Sequence, residues 1–155
     1  MKKTIKTEKV LAVWQVLGSA KYTKMEDADK IKVWKISRVL KPIAEKFDEE
    51  SKDAAEKLKP TEDFSERLQN AQEYEHVSKD ANADATKLKM GAAEYGEFIN
   101  ELQNYNKLVS DAVNGFAEKE VEVEFEPINE DAFGKLMASN DWTFEQVMAI
   151  NLIME

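Results

Sequence analysis

Few side chains in this sequence stand at the spacings that metal sites and catalytic centres require. The chain of 155 residues holds one histidine and no cysteine, which excludes disulfides, thiol chemistry and cysteine-ligated metals. The histidine, His76, follows Glu73 at the Glu-x-x-His spacing that puts two ligands on one helix face. Di-iron bundles need two such motifs, so a ferritin-like centre within one chain is excluded. We interpret His76 as a surface residue.

A second metal motif begins at Asp80, where Asp-x-Asn-x-Asp matches the first half of a calcium-binding loop. Such a loop requires Gly at its sixth position and Glu at its twelfth, and here those positions hold Ala85 and Gly91. The sequence also has no glycine-rich phosphate loop and no nucleophilic serine motif that would use His76. We therefore expect no metal, no cofactor and no catalytic residues, and hence a protein that is not an enzyme.

The most regular charge pattern is a row of four glutamates that alternates with apolar residues. The acidic row is Glu120, Glu122, Glu124 and Glu126. This alternation predicts a strand with one apolar and one acidic face, closed by Pro127. Its pairing partner stays open between residues 87–91, residues 4–6 and another subunit. Evenly spaced acids can imitate a row of phosphates, and the alternative is that they protect an edge strand from aggregation.

Charge is also divided along the chain. Residues 1–59 carry a net charge of +5 and residues 60–155 carry −14, for a total of −9. Phosphate contacts need a concentrated basic face, so the acidic balance predicts no direct nucleic-acid binding. Lys2, Lys3 and Lys6 form a basic arm that either docks on an acidic neighbour or only solubilises the terminus. Docking on another copy of the chain would make rings or filaments.

The C-terminal segment is rich in apolar side chains, and three of them are candidate partner contacts. These are Trp142, Phe144 and Met148. Methionine-rich helix faces adapt to irregular partners. The alternative is that these side chains fill the core of the protein itself.

Helical periodicity dominates the rest of the sequence. It predicts helices at about residues 7–17, 26–59, 61–79, 88–116, 130–138 and 144–154. Thr7 and Asn129 are expected N-caps, and Thr143 begins a capping box. Pro42 predicts a kink near residues 38–42. Trp34 and Val39 are expected to widen the buried stripe of the second helix before the kink.

These elements predict a mainly α fold, in which a long kinked helix packs against a second long helical arm. We expect residues 1–118 to form a helical domain, and residues 119–155 to form a small strand-plus-helix (α+β) tail packed on the same core. No apolar stretch approaches the roughly 20 residues that span a bilayer, so no membrane partner is expected. A protein partner or self-association is expected instead, in the cytoplasm.

Two segments resemble small, mainly helical proteins of tailed bacteriophages and prophages. They are KYTKMEDADKIKVWKISRVLKPIAEKFD, from Lys21 to Asp48, and NEDAFGKLMASNDW, from Asn129 to Trp142. The resemblance implies a viral protein of structural, assembly or accessory role, in the host cytoplasm or the virion, and carries over no functional residues. With the charge division, it leads us to expect an interaction protein that docks through a bipolar charge surface. The alternative is an acidic inhibitor that mimics nucleic acid against a host defence enzyme.

Overall fold

The computed structural model describes residues 1–80, 82 and 88–155, and the part of the chain that it describes is mainly helical. Strand β1 (Lys2–Lys6) leads directly into helix α1 (Thr7–Gly18). Helices α2 (Asp27–Lys57), α3 (Phe64–Lys79) and α4 (Ala92–Glu118) follow. Strand β2 (Glu120–Glu124), helices α5 (Glu130–Ala138) and α6 (Phe144–Ile150), and a 3₁₀ turn (Asn151–Ile153) complete the chain. The predicted mainly α class with a small β part is confirmed.

Contacts between residues divide the chain into two compact units. Unit 1 comprises Met1–Glu50 and Asn114–Glu155, and unit 2 comprises Ser51–Val113. Helix α2 passes from the first unit into the second, and α4 passes back again. Residues from both ends of the chain therefore share one core, and residues 119–155 pack in it beside α1 and the first half of α2.

The core of unit 1 is built from one apolar stripe per element. Its fully buried members include Val10 and Val13 of α1, Val33, Ile36 and Leu40 of α2, Val123 of β2, Ile128, Leu136 of α5, Ile150 of α6 and Ile153. In α2 these residues recur at steps of three and four, which is the spacing that places them on one helix face. Helix α2 continues through Pro42. The kink expected there stays a prediction.

Unit 2 contains an antiparallel pair of helices, α3 and the N-terminal part of α4. Phe64 at the start of α3 contacts Phe98 and Tyr105, with ring centroids 5.4 and 4.7 Å apart, and Tyr74 near its end stacks on Tyr95. The partners in α4 come earlier as α3 advances, so the two helices run in opposite directions. Phe98 is fully buried, and Leu102 and Tyr105, which follow it on α4 at steps of four and three, are half-buried.

The structure identifies the strand that pairs with β2. Strands β1 and β2 form a two-stranded antiparallel sheet in which Lys2 lies opposite Glu124, and Lys6 opposite Glu120. Among the alternatives that the sequence left open, the N-terminal residues are therefore the partner. The candidate calcium loop after Asp80 falls mostly outside the described residues, which include only Asn82 between 81 and 87.

Two expectations about single side chains are wrong. Thr7 does not cap α1: it is the first helical residue, and its hydroxyl donates to the carbonyl of Lys119 at 2.7 Å, which joins α1 to the residue before β2. Trp34 does not widen the buried stripe of α2, because its side chain is 57% exposed.

The other expected caps are present. The side chain of Asn129 accepts a hydrogen bond from the amide of Ala132, and Thr143 and Gln146 form the reciprocal capping box. These caps fix the starts of α5 and α6. Across the described residues, we find no helix with both the length and the apolar character needed to cross a membrane.

Candidate interaction surfaces

The acidic row lies on the exposed face of the two-stranded sheet, together with lysines from β1. Glu120, Glu122 and Glu124 alternate with covered residues, as the sequence predicts, and Glu126 is exposed just beyond the strand. Met1 and Phe125 exchange both backbone hydrogen bonds, so the pairs that include Lys2 and Lys6 are the non-hydrogen-bonded ones. Side chains approach each other more closely at such pairs.

Two members of the acidic row contact lysines, one from β1 and one from α2. The ammonium nitrogen of Lys2 lies 3.3 Å from a carboxylate oxygen of Glu122, and that of Lys32 in α2 lies 3.2 Å from Glu126. Lys3 points to the opposite face, where it donates to the carbonyl of Leu152 at 3.4 Å. Of the basic arm, Lys2 therefore pairs with the acidic row of its own chain, Lys6 lies 4.0 Å from Glu8, and the exposed sheet face carries charges of both signs.

The three apolar candidates of the C-terminal segment separate into one core residue and two exposed residues. Trp142 is half-buried and packs against the core of unit 1. Phe144 and Met148 are 80% and 59% exposed. They stand four residues apart on α6, which places them side by side on one helix face. The opposite face of α6 packs on α1, with Ile150 fully buried.

A second exposed apolar group lies on the outer face of α2. Ile31 and Trp34 are 53% and 57% exposed, and the guanidinium of Arg38 lies 4.9 Å from the centre of the Trp34 ring. Trp and Arg are enriched among the residues that dominate protein interfaces. Sequence reasoning missed this group because it assigned Trp34 to the core by residue type.

Unit 1 also has an apolar cleft between α2, the end of α4 and β2. It encloses about 360 Å³. Its apolar lining is Pro42, Ile43, Phe47, Phe116 and Val121. Its polar lining is the buried Thr7 and, at the rim, Lys46, Glu50, Lys119 and Glu122. Sequence reasoning did not find the cleft, because its lining comes from three separate stretches of chain: Thr7, residues 42–50 and residues 116–122. The Glu-Val alternation was the one local signal that pointed to its β2 wall.

Unit 2 holds two polar contacts between α3 and α4. The guanidinium of Arg67 donates two hydrogen bonds to the carboxylate of Glu101, at 3.1 and 2.6 Å, and the hydrogen bond with Glu101 raises the pKa of Arg67. The hydroxyl of Tyr95 donates to Glu75. That hydrogen bond is the main reason that the pKa of Tyr95 is raised above its ordinary value of 10.0.

The histidine lies apart from these contacts. The His76 side chain is 71% exposed, and its Nε2 lies 3.8 Å from a carboxylate oxygen of Asp80. Within the described residues, no three His, Cys, Asp or Glu side chains are grouped closely enough to hold a metal ion. The arrangement offers exposed apolar and charged surfaces for association.

Comparisons with protein-family models, with curated proteins and with solved structures found no match to this chain.

Proposed function

We propose that this protein is a non-enzymatic interaction protein that associates with a protein partner, or with itself, through the exposed apolar face of α6. The observation that carries the proposal is the exposure of Phe144 and Met148 on a helix whose other face is firmly packed. Large apolar side chains grouped on a surface mark association sites, whereas single ones are ordinary.

The charge distribution supports an orienting role beside this apolar contact. The sheet face is mixed in sign, but the chain as a whole is acidic, with a net charge of −9. Charges at the rim of an interface mainly set the rate and orientation of encounter. Docking guided by a bipolar charge surface is therefore part of the proposal, with the exposed lysines and glutamates of the sheet face supplying the two signs. The α6 face supplies most of the affinity. The resemblance to small phage proteins supports placing this association in phage structure or assembly, in the host cytoplasm or the virion.

The experiment compares the wild type with a Phe144→Ser/Met148→Ser variant. Burying one such side chain is worth about 1.5–3 kcal/mol, and each 1.4 kcal/mol is roughly tenfold in affinity. The double variant should therefore bind at least about tenfold more weakly. The matched control is Leu108→Ser, which removes an exposed apolar side chain from unit 2.

Two measurements apply. Light scattering after size exclusion gives the mass of each variant over a range of concentrations. In parallel, proteins captured by immobilised wild type are identified, purified and titrated against all three chains. Loss of association in the α6 variant alone supports the proposal. Equal association of all three chains, or association of none with any purified partner or with itself, refutes it.

A further inference from the structure

We propose that Phe144 and Met148 of one copy insert into the apolar cleft of a second copy, so that the protein assembles with itself head to tail. This inference rests on the proposed function, because it names the partner of the α6 face. The inserted pair and the cleft both belong to unit 1, and the exposed pair and much of the cleft lining are apolar.

The inserting side is rigid. The capping box of Thr143 and Gln146 fixes the first turn of α6, where Phe144 is the first helical residue. Fully buried Ile150 anchors the end of the same helix in the core. Phe144 and Met148 are thus presented on a helix that does not have to order itself on binding, which avoids part of the entropic cost of association.

The receiving side is a preformed recess. Its volume of about 360 Å³ falls in the range of roughly 300–1,000 Å³ typical of ligand sites. Pro42, Ile43 and Phe47 of α2 form one apolar wall, and Phe116 and Val121 contribute the rest. An aromatic ring and a flexible thioether side chain suit such a lining, because methionine fills irregular apolar space.

The charges at the rim of the cleft leave one lysine available to an incoming helix. Glu50 and Glu122 at the rim are each paired already, with Lys46 at 3.8 Å and with Lys2 at 3.3 Å. Within the described residues, Lys119 has no carboxylate within 4.0 Å, and it lies at the same rim.

The incoming helix supplies the opposite charge. Asp141 and Glu145 flank Phe144, and residues 141–155 contain no lysine or arginine. The charge that the rim offers and the charges that flank the inserting helix are therefore opposite in sign, which favours this occupant over a basic one.

Because the inserting and receiving surfaces differ, the contact is heterologous. Each copy can then give its α6 to one neighbour and receive α6 from another, and such contacts close into a ring or continue as a filament. A contact between two α6 faces would instead be symmetric and would stop at a dimer. This difference allows a complementation experiment.

The experiment uses two full-length variants that each lose one surface. The donor-deficient chain is Phe144→Ser/Met148→Ser, and the acceptor-blocked chain is Pro42→Glu, which places a carboxylate in the cleft. Pro42 is exposed and lies inside a helix, where proline is unfavourable, so its replacement does not threaten the fold. Pro42→Ala is the matched control, because it changes the backbone equally but leaves the cleft open and uncharged. Lys119→Glu is a second acceptor variant at an exposed site.

We expect the wild type and Pro42→Ala to gain mass with concentration in light scattering. The donor-deficient and acceptor-blocked chains should each associate at least about tenfold more weakly when alone. Their equimolar mixture should form particles of two chains, twice the 17.7 kDa of one. Glu145→Lys should partly restore the association of Lys119→Glu.

Three results overturn the inference. If the acceptor-blocked chain assembles normally while the donor-deficient chain does not, α6 binds elsewhere and only the proposed function stands. If the wild type stays monomeric at every concentration but captures a partner through α6, self-assembly is wrong and the proposed function again stands. If the variants bind every partner as the wild type does, both are wrong.

Discussion

Lys2 and Glu122 form an ion pair across the two-stranded sheet, with 3.3 Å between the ammonium nitrogen and the carboxylate oxygen. The register places Lys2 directly opposite Glu124, so the pair is diagonal and the ammonium group lies in the middle of the acidic row. Folding therefore brings a lysine of the basic N-terminal segment into contact with a glutamate of the acidic C-terminal segment, and the two charges partly cancel there. A partner that approaches the sheet face meets Glu122 already paired with Lys2.

The first prediction concerns the strength of this ion pair. Both side chains are more than half exposed, at 60% and 66%, so solvent screens the attraction. A double-mutant cycle with Lys2→Met and Glu122→Gln should give a coupling free energy of about 0.2–1 kcal/mol in urea unfolding at low salt. The coupling should vanish near 1 M salt, where the Debye length is roughly 3 Å.

The control for that cycle is the Lys41–Glu45 pair on α2, which has similar exposure and should respond to salt in the same way. A coupling at Lys2–Glu122 that survives high salt would show a buried pair and would contradict the exposed cross-strand geometry.

The features of the fold that the sequence predicted are those that depend on residues close together in the chain. The capping motif at Thr143 and the cap at Asn129 require only neighbouring residues, and both are present. The Glu-Val alternation likewise predicted β2, and the apolar spacing predicted α1 to within one residue at its end. Helix caps and side-chain periodicity depend on residues a few positions apart, so the sequence alone contains them.

The features that the sequence did not predict depend on contacts between residues far apart in the chain. The partner of β2 lies more than 110 positions away, and no local pattern distinguishes it from the other candidates. Trp34 was assigned to the core because it is apolar and stands next to Val33, but packing buries Val33 and leaves Trp34 57% exposed. The cleft depends on α2, α4 and β2 coming together, which is a tertiary property.

The second prediction concerns the cap of α5. The Asn129 side chain accepts a hydrogen bond from the amide of Ala132 at 2.8 Å, and Asn129 itself is exposed. Asn129→Ala should therefore lower the free energy of unfolding by about 0.5–2 kcal/mol with little loss of packing. Asn129→Asp keeps an acceptor at this position and should retain most of the stability in urea unfolding. Equal losses in the two variants would contradict a capping role.

The third prediction concerns the Arg67–Glu101 pair of unit 2. The fork of the guanidinium matches both carboxylate oxygens, and it also lies 5.1 Å from the centre of the Phe98 ring. Lysine keeps the charge but cannot reproduce the two parallel hydrogen bonds. Arg67→Lys should therefore destabilise unit 2 by about 1 kcal/mol, which is the net value of a typical hydrogen bond.

Hydrogen exchange measures this effect unit by unit. Amides of α3 should exchange faster in Arg67→Lys, whereas amides of α5 in unit 1 should not change. Lys79→Met is the matched control, because it removes an exposed basic side chain from the end of the same helix. Unchanged exchange in α3 of Arg67→Lys would mean that charge alone, without the fork geometry, accounts for the contact.

The last prediction concerns the alkaline response of Tyr95. Its hydroxyl donates to Glu75, and this hydrogen bond, desolvation and the nearby carboxylate charge all raise the pKa of Tyr95 above 10.0. A pKa that is higher in the folded than in the unfolded state adds stability that is full below pH 10. That stability is lost as the pH rises through the raised pKa of the folded protein, because the phenolate no longer donates to Glu75 and is repelled by it.

Absorbance titration of the phenol groups tests this directly. In Glu75→Gln, the pKa of Tyr95 should fall toward 10.0, because a neutral amide accepts the hydrogen bond of the hydroxyl more weakly than the carboxylate does, and because the charge that opposes phenolate formation is gone. Glu73→Gln is the matched control: Glu73 is an exposed neighbour that does not contribute to the shift, so the titration of Tyr95 should not move. Tyr95→Phe should show which part of the titration curve belongs to this residue. A Tyr95 that titrates identically with and without the Glu75 carboxylate would mean that the hydrogen bond does not hold the proton, and the alkaline loss of stability would then need another source.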